Sequence, residues 1–182
     1  MDKDRDQLLM ERYRDGDRGA FTELVIRYQR PIYNAAYRVL GNGEDASDIA
    51  QVVFLRVAEH LDDYDPQFRF FSWIYRIALN ESLNLLRRNG REDPLEGELD
   101  TPDRESAGPE ARASEAQLSR RVQAALMKMR SGDRAVLTLR HFSECSYQEI
   151  GEILDLDEKR VKSRLFEARQ RLRVLLKDLI PA

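Results

Sequence analysis

Residues 146–172, SYQEIGEILDLDEKRVKSRLFEARQRL, read as two short helices joined by a tight turn, the second loaded with cations. Ser146 and Glu149 form an S-x-x-E capping box, in which each side chain accepts from the other's backbone N–H, so a helix starts here. Ile150, Ile153 and Leu154 follow as an apolar stripe at helical spacing. Asp155-Leu156-Asp157 breaks the stripe: Leu156 plugs the angle between the helices, and Asp157 is a good N-cap for the second. At about 100° per residue, Val161, Leu165, Ala168, Leu172, Leu175, Leu176 and Leu179 gather on one side of that helix. Lys159, Lys162, Ser163, Phe166, Gln170, Arg173 and Lys177 fall on the other. Residues 156–177 hold eight Lys/Arg against three Asp/Glu, a net +5. A capped helix, a plugged turn and a cationic rod together suit entry into a DNA major groove. A solvated charged face is the plainer alternative.

The rest of the chain limits what such a unit serves. Its 182 residues suit one large or two small domains, and 42% apolar with 35% charged residues gives modest cores under a charged exterior. The net charge of −3 makes the basic character local, so an acidic segment must offset it. A single cysteine, Cys145, leaves no internal disulfide and fits a reducing compartment. His141 and Cys145 lie four apart, but two ligands without a third make a weak zinc site, and no metal or other cofactor is expected. No apolar run is long enough to cross a membrane, and the opening MDKDRDQLLMERYRDGD is too charged for a signal peptide. The expectation is a soluble cytoplasmic protein with no membrane insertion and, lacking any nucleophile–base pair, no catalytic residues.

Composition shifts between Asn89 and Glu115, a stretch with three Pro, three Gly and nine Asp/Glu against three Arg, a net −6. Such a segment buries too little to offset its chain entropy and is expected to be a flexible acidic linker. The fold class is therefore all-α, with two helical domains on either side of it: residues 5–89, linker 90–115, and residues 116–180. Helices are expected at 7–14, 18–40, 43–60 and 70–88 in the first domain. Pro31 should kink or interrupt the second of them. In the second domain they are expected at 116–129 and 133–142, followed by the helix-turn-helix.

Two faces in the first domain carry further chemistry. In 71–88, Phe71, Ile74, Tyr75, Ala78, Leu79, Leu85 and Leu86 occupy the core-facing arc, and Trp73, Arg76, Asn80, Asn84 and Arg87 the opposite one. An indole among amides and guanidiniums suits single-stranded DNA: the ring stacks on bases, amides bond base edges, and Arg holds phosphate. The alternative is a helix buried on both sides. Just before it, residues 65–70, DPQFRF, form an aromatic and basic loop, with Phe68 and Arg69, that could line a pocket for an unstacked base. In 44–60, Asp45, Asp48 and Gln51 recur at threes beside apolar Ile49, Val53 and Val57. That acidic, amide-bearing ridge suits a basic protein partner, or is simply solvated.

Taken in order, these pieces resemble a bacterial extracytoplasmic-function sigma factor. AFTELVIRYQRPIYNAAYRVLGNGEDASDIAQVVFLRV is similar to the start of sigma domain two, FRFFSWIYRIALNESLNLLRR to its promoter-melting helix, and residues 146–172 to the helix-turn-helix of sigma domain four. The resemblance implies transcription initiation with the RNA polymerase core, through the clamp helices of its largest subunit and the flap of its second largest. It places Asp45, Asp48 and Gln51 on the clamp helices. Phe68, Arg69, Trp73, Arg76, Asn80, Asn84 and Arg87 fall at the −10 element and the opened strand. Lys159, Arg160, Lys162, Ser163, Arg164 and Phe166 fall at the −35 element of promoter DNA. It also implies restraint by an anti-sigma factor. Ser47 and Val52 stand where the family usually has acids, Asp155 where it has a turn Gly, and Glu158-Lys159-Arg160 where it has small residues. A stand-alone helix-turn-helix regulator of duplex DNA is the competing reading.

Overall fold

In the computed structural model, residues 3–60, 63–90 and 109–177 are described, and among them every regular element is a helix. These are α1 (Lys3–Arg14), α2 (Arg18–Leu40), α3 (Gly43–Glu59), α4 (Phe70–Arg88), α5 (Pro109–Met127), α6 (Ser131–His141), α7 (Tyr147–Leu154) and α8 (Glu158–Leu175). The all-α expectation holds, and 18–40 and 70–88 match α2 and α4 residue for residue.

Local chemistry sets these ends. Asp17 caps α2, its carboxylate accepting from Gly19 N at 2.9 Å and Ala20 N at 3.3 Å. At the other end Gly41 turns left-handed at φ 76°, returning its N–H to Tyr37 O. Asn42 then caps α3 by accepting from Asp45 N at 2.9 Å.

Pro31 does not interrupt α2. Tyr28 and Ile32 beside it, then Ala35 and Ala36, are all buried, so packing on both sides of the proline holds the helix through the lost hydrogen bond. A second difference lies at α5, which starts at Pro109 inside the expected linker. Proline suits a first helical position, where its missing N–H costs nothing, and EARASEA behind it favours helix. The remainder of the linker, 91–108, lies outside the described residues.

Helices α1–α4 form the first unit. α2 is its central rod, packed on by α1, α3 and α4. Asp6 of α1 reaches the core to accept from the Tyr28 hydroxyl and pair with Arg27 at 3.2 Å. Burial pushes its carboxyl up despite both partners. Arg56 of α3 and Glu81 of α4 pair at 2.9 Å. In the second unit α6 and α7 pack on α8, and Arg134, fully buried, turns Nη1 toward the carbonyls of Met129 (3.3 Å) and Met127 (3.5 Å) at the end of α5. Burial lowers its pKa to about 10, so it stays charged at neutral pH.

The two units share a seam, α2 against α5 and α6, and α4 against α7, and one apolar cluster runs through both. Gln123 donates to Tyr37 O at 3.0 Å in a buried bond. Gly41 abuts Met127 so closely that a Cβ there would overlap the thioether sulfur. The Arg38 guanidinium lies 3.5 Å above the Phe142 ring centroid.

Candidate nucleic-acid interface

The helix-turn-helix forms as its sequence dictates. Ser146 Oγ accepts from Glu149 N at 3.2 Å and Glu149 Oε2 from Ser146 N at 2.8 Å, completing the capping box. Asp155 takes the left-handed turn position at φ 55°, donating its N–H to Gly151 O. An Asp can hold that conformation, where most residues are strained. Half-buried Leu156 packs on the core, and Asp157 caps α8 by accepting from Arg160 N at 2.8 Å. Val161, Leu165 and Ala168 are buried, and this anchors the helix. The apolar stripe fades beyond them. Val174 and Leu175 are exposed, and Leu179 lies outside the described residues.

Lys159, Arg160, Lys162, Ser163, Arg164 and Phe166 all end up exposed, with Phe166 at 65%. Local acids hold some of the cations without burying them: Arg160 pairs with Asp157 at 3.3 Å and Lys162 with Glu158 at 2.6 Å. Such surface pairs cost little to exchange for phosphate. Arg130, Asp133, Leu156, Arg160, Ser163, Arg164 and Glu167 line a cleft of about 330 Å³ beside them.

On α4, residues 73, 76, 80, 84 and 87 lie on one stripe, with Arg76, Asn80 and Arg87 exposed and Asn84 half-buried. Trp73 departs from the expectation of a free indole. Its ring packs at 5.3 Å from Tyr64 and 6.0 Å from Phe70, which itself meets Tyr28 edge-on, so the indole is half-buried. Tyr64 also donates its hydroxyl to Phe68 O at 3.0 Å, which folds the preceding loop and leaves the Phe68 ring 52% exposed. Leu85, expected to face the core, is half-buried. A pocket of about 380 Å³ lies beside this loop, and both units build it: Asp63, Tyr64, Asp65, Phe68, Ser72, Trp73 and Arg76 from the first, Gly151, Glu152 and Asp155 from the second.

Arg69 closes the same seam, with its guanidinium bonded to Glu149 of α7. Burial pushes the Glu149 carboxyl up, but bonds from the Ser146 N–H and the Arg69 cation outweigh it and hold the group below the ordinary carboxylate range. One glutamate therefore completes a helix cap and occupies the Arg69 cation. Four carboxylates at the pocket, Asp63, Asp65, Glu152 and Asp155, would repel a phosphate there.

On α3, Asp48 and Gln51 are exposed and Asp45 is half-buried, while Ile49, Val53 and Val57 are in the core. Leu55, 62% exposed, continues the ridge of Asp48 and Gln51 one turn on. The i, i+3, i+7 spacing from Asp48 would have found it. His141 accepts from Arg169 Nε at 3.1 Å through Nε2, and the Cys145 thiol is buried, its pKa pushed to about 12 by burial. No helix among the described residues is long and apolar enough to cross a membrane.

Against known families, residues 24–92 match sigma-70 region 2 and residues 119–172 match sigma-70 region 4. The ECF RNA polymerase sigma factor SigW of Bacillus subtilis is 32% identical over 93% of this chain and 96% of its own length. Among solved structures, CnrH in complex with the cytosolic domain of CnrY superposes with a TM-score of 0.71 at 27% identity, covering 96% of this chain and 98% of CnrH. The sigma factor RpoE of Bartonella quintana, solved with the anti-sigma factor NepR, gives 0.71 at 21% identity over 86% and 96% of the two chains, a likeness of fold.

Proposed function

The chain belongs to the extracytoplasmic-function sigma factors, and from that premise we propose how its surfaces divide the work of an alternative sigma factor. The ridge of Asp45, Asp48, Gln51 and Leu55 docks on the clamp helices of the polymerase largest subunit, and the second domain rests near the flap of the second largest. α8 enters the major groove at the −35 element, with Lys159, Arg160, Lys162 and Arg164 serving phosphate and base edges. Phe68, Arg69 and Trp73 take an unstacked base of the −10 element, and Arg76, Asn80, Asn84 and Arg87 hold the opened strand. The chain contributes binding energy and no catalytic centre, and it works in the cytoplasm with the polymerase.

The observation that carries this reading is the pairing of an exposed cationic face on α8 with an aromatic and amide stripe on α4. A duplex-only regulator has no use for the second. The seam adds a condition. Elements centred near −35 and −10 lie about 85 Å apart along B-form DNA at ~3.4 Å per nucleotide. A compact body of this size is about 40 Å across. The closed arrangement cannot reach both elements, so the seam opens before the promoter is gripped. The 18 residues 91–108 can span up to about 60 Å when extended. An anti-sigma factor that binds across the seam would hold it shut.

Run-off transcription with core polymerase, with and without this protein, tests the reading. Promoter-dependent transcripts should need the protein. Tight stand-alone duplex binding with no transcripts would favour a stand-alone helix-turn-helix regulator of duplex DNA.

A further inference from the structure

We propose that Asp133, in the first turn of α6, is a positioning residue that sets the −35 specificity of α8. This rests on the assignment of α8 to the −35 element. Asp133 is only 3% exposed, although it is a carboxylate beside a cationic surface. It gathers three guanidiniums. Arg171 of α8 donates to its Oδ2, Arg164 of α8 approaches its Oδ1 at 3.6 Å, and Arg130 from the preceding turn approaches Oδ2 at 3.8 Å. Gly132 gives Arg164 its seat: a Cβ there would come within 2.5 Å of Nη2 and 2.9 Å of Cζ.

The geometry has two consequences. First, Arg164 is drawn back toward Asp133 by the ion pair at its Nε and seated against Gly132, while its side chain stays 44% exposed to the cleft it shares with Arg160 and Ser163. A guanidinium whose conformers are restricted in this way loses less entropy on meeting a base edge, and it discriminates better than a mobile one. Second, one negative charge under three cations trims the field of the face. It suppresses the phosphate attraction that would bind any sequence. Asp133 thus raises discrimination while lowering indiscriminate affinity, a combination that a purely structural acid would not produce.

The test uses the full chain with core polymerase, comparing a template carrying its −35 element with one in which that element is scrambled, across a salt series. Asp133→Asn should cut the preference for the intact element about tenfold, the worth of one good base contact. It should also tighten binding to the scrambled template and steepen its salt slope by about one. Gly132→Ala, which unseats Arg164 without altering charge, should lower the preference and leave the salt slope unchanged. Asp133→Glu should recover part of the preference. Equal weakening on both templates, with unchanged slopes and a lowered melting temperature, would reduce Asp133 to a folding role and overturn the proposal. If the wild-type protein itself ignores the −35 element, the assignment of α8 fails before any variant is compared.

Discussion

The two surfaces proposed for promoter contact are presented in opposite ways. On α8 the leading cations stand in solvent, with exposed acids one turn away at two of them, Asp157 at Arg160 and Glu158 at Lys162, while Arg164 and Arg171 reach back to buried Asp133. On the first domain the corresponding cation, Arg69, is tied to Glu149 of α7, and α7 and the turn after it supply Glu152 and Asp155 to the pocket beside Trp73. In the proposed assignment the helix-turn-helix unit offers α8 to duplex DNA, while α7 and the turn after it cover Arg69 and one side of the Trp73 pocket. A single domain that both reads one element and hides the other couples the two events. Under the proposed assignment, Arg69 and the pocket beside Trp73 become available only when the second domain has moved away, whereas Arg76, Asn80 and Arg87 are exposed already.

Substitutions at each region separate these roles. The largest effect should come from Lys162→Ala combined with Arg164→Ala. At about 1–3 kcal/mol per reading contact, −35-dependent transcription should fall about a hundredfold while single-stranded −10 binding stays unchanged. Loss of both would mean that the two surfaces are not separable. Asn80→Ala should reduce strand opening about tenfold and barely alter initial docking, as read by permanganate footprinting beside a binding assay. A variant that docks poorly but opens normally would contradict the role given to α4.

Glu149→Gln should act in the other direction. Glutamine preserves the capping box but releases Arg69, so the free protein should bind a single-stranded −10 oligonucleotide about fivefold more tightly, the worth of one partly exposed ion pair. No gain, with the helix-turn-helix intact by circular dichroism, would remove Glu149 from the covering function. The smallest effect concerns His141. Burial, then the Arg169 and Arg140 guanidiniums, hold its pKa below the ordinary imidazole value. Its neutral form accepts from Arg169, so this contribution is present above about pH 6.5 and is lost as pH falls through the lowered pKa. The melting temperature should drop by a few degrees between pH 8 and pH 5.5, and His141→Gln should flatten that part of the profile.

What the sequence made legible divides along the same line. The capping box of Ser146 and Glu149, the left-handed Asp155, the Asp157 cap and the bounds of α2 and α4 all follow from residues within a few positions of each other. The seam does not. Arg69 and Glu149 are 80 residues apart, Gln123 and Tyr37 are 86 apart, and no periodicity relates them. Asp133 looks like an ordinary helix-start acid until α8, 38 residues on, lays Arg171 over it. The continuity of α2 through Pro31 and the half-burial of Trp73 are likewise decided by neighbours from other helices. Positions whose environment is local were readable, whereas the covering of Arg69 and the Trp73 pocket is a tertiary property.

Opening of the seam is measured directly by a distance. Ile26 on α2 and Val174 on α8 are 65% and 69% exposed, and buried Cys145 leaves cysteines introduced there as the labelling sites. With Ile26→Cys and Val174→Cys carrying spin labels, pulsed electron resonance should give one distance for the free protein, within the about 40 Å width of the closed body. The same pair should separate by tens of ångströms in holoenzyme bound to promoter DNA. A distance that stays within that width in holoenzyme actively making transcripts would contradict the account.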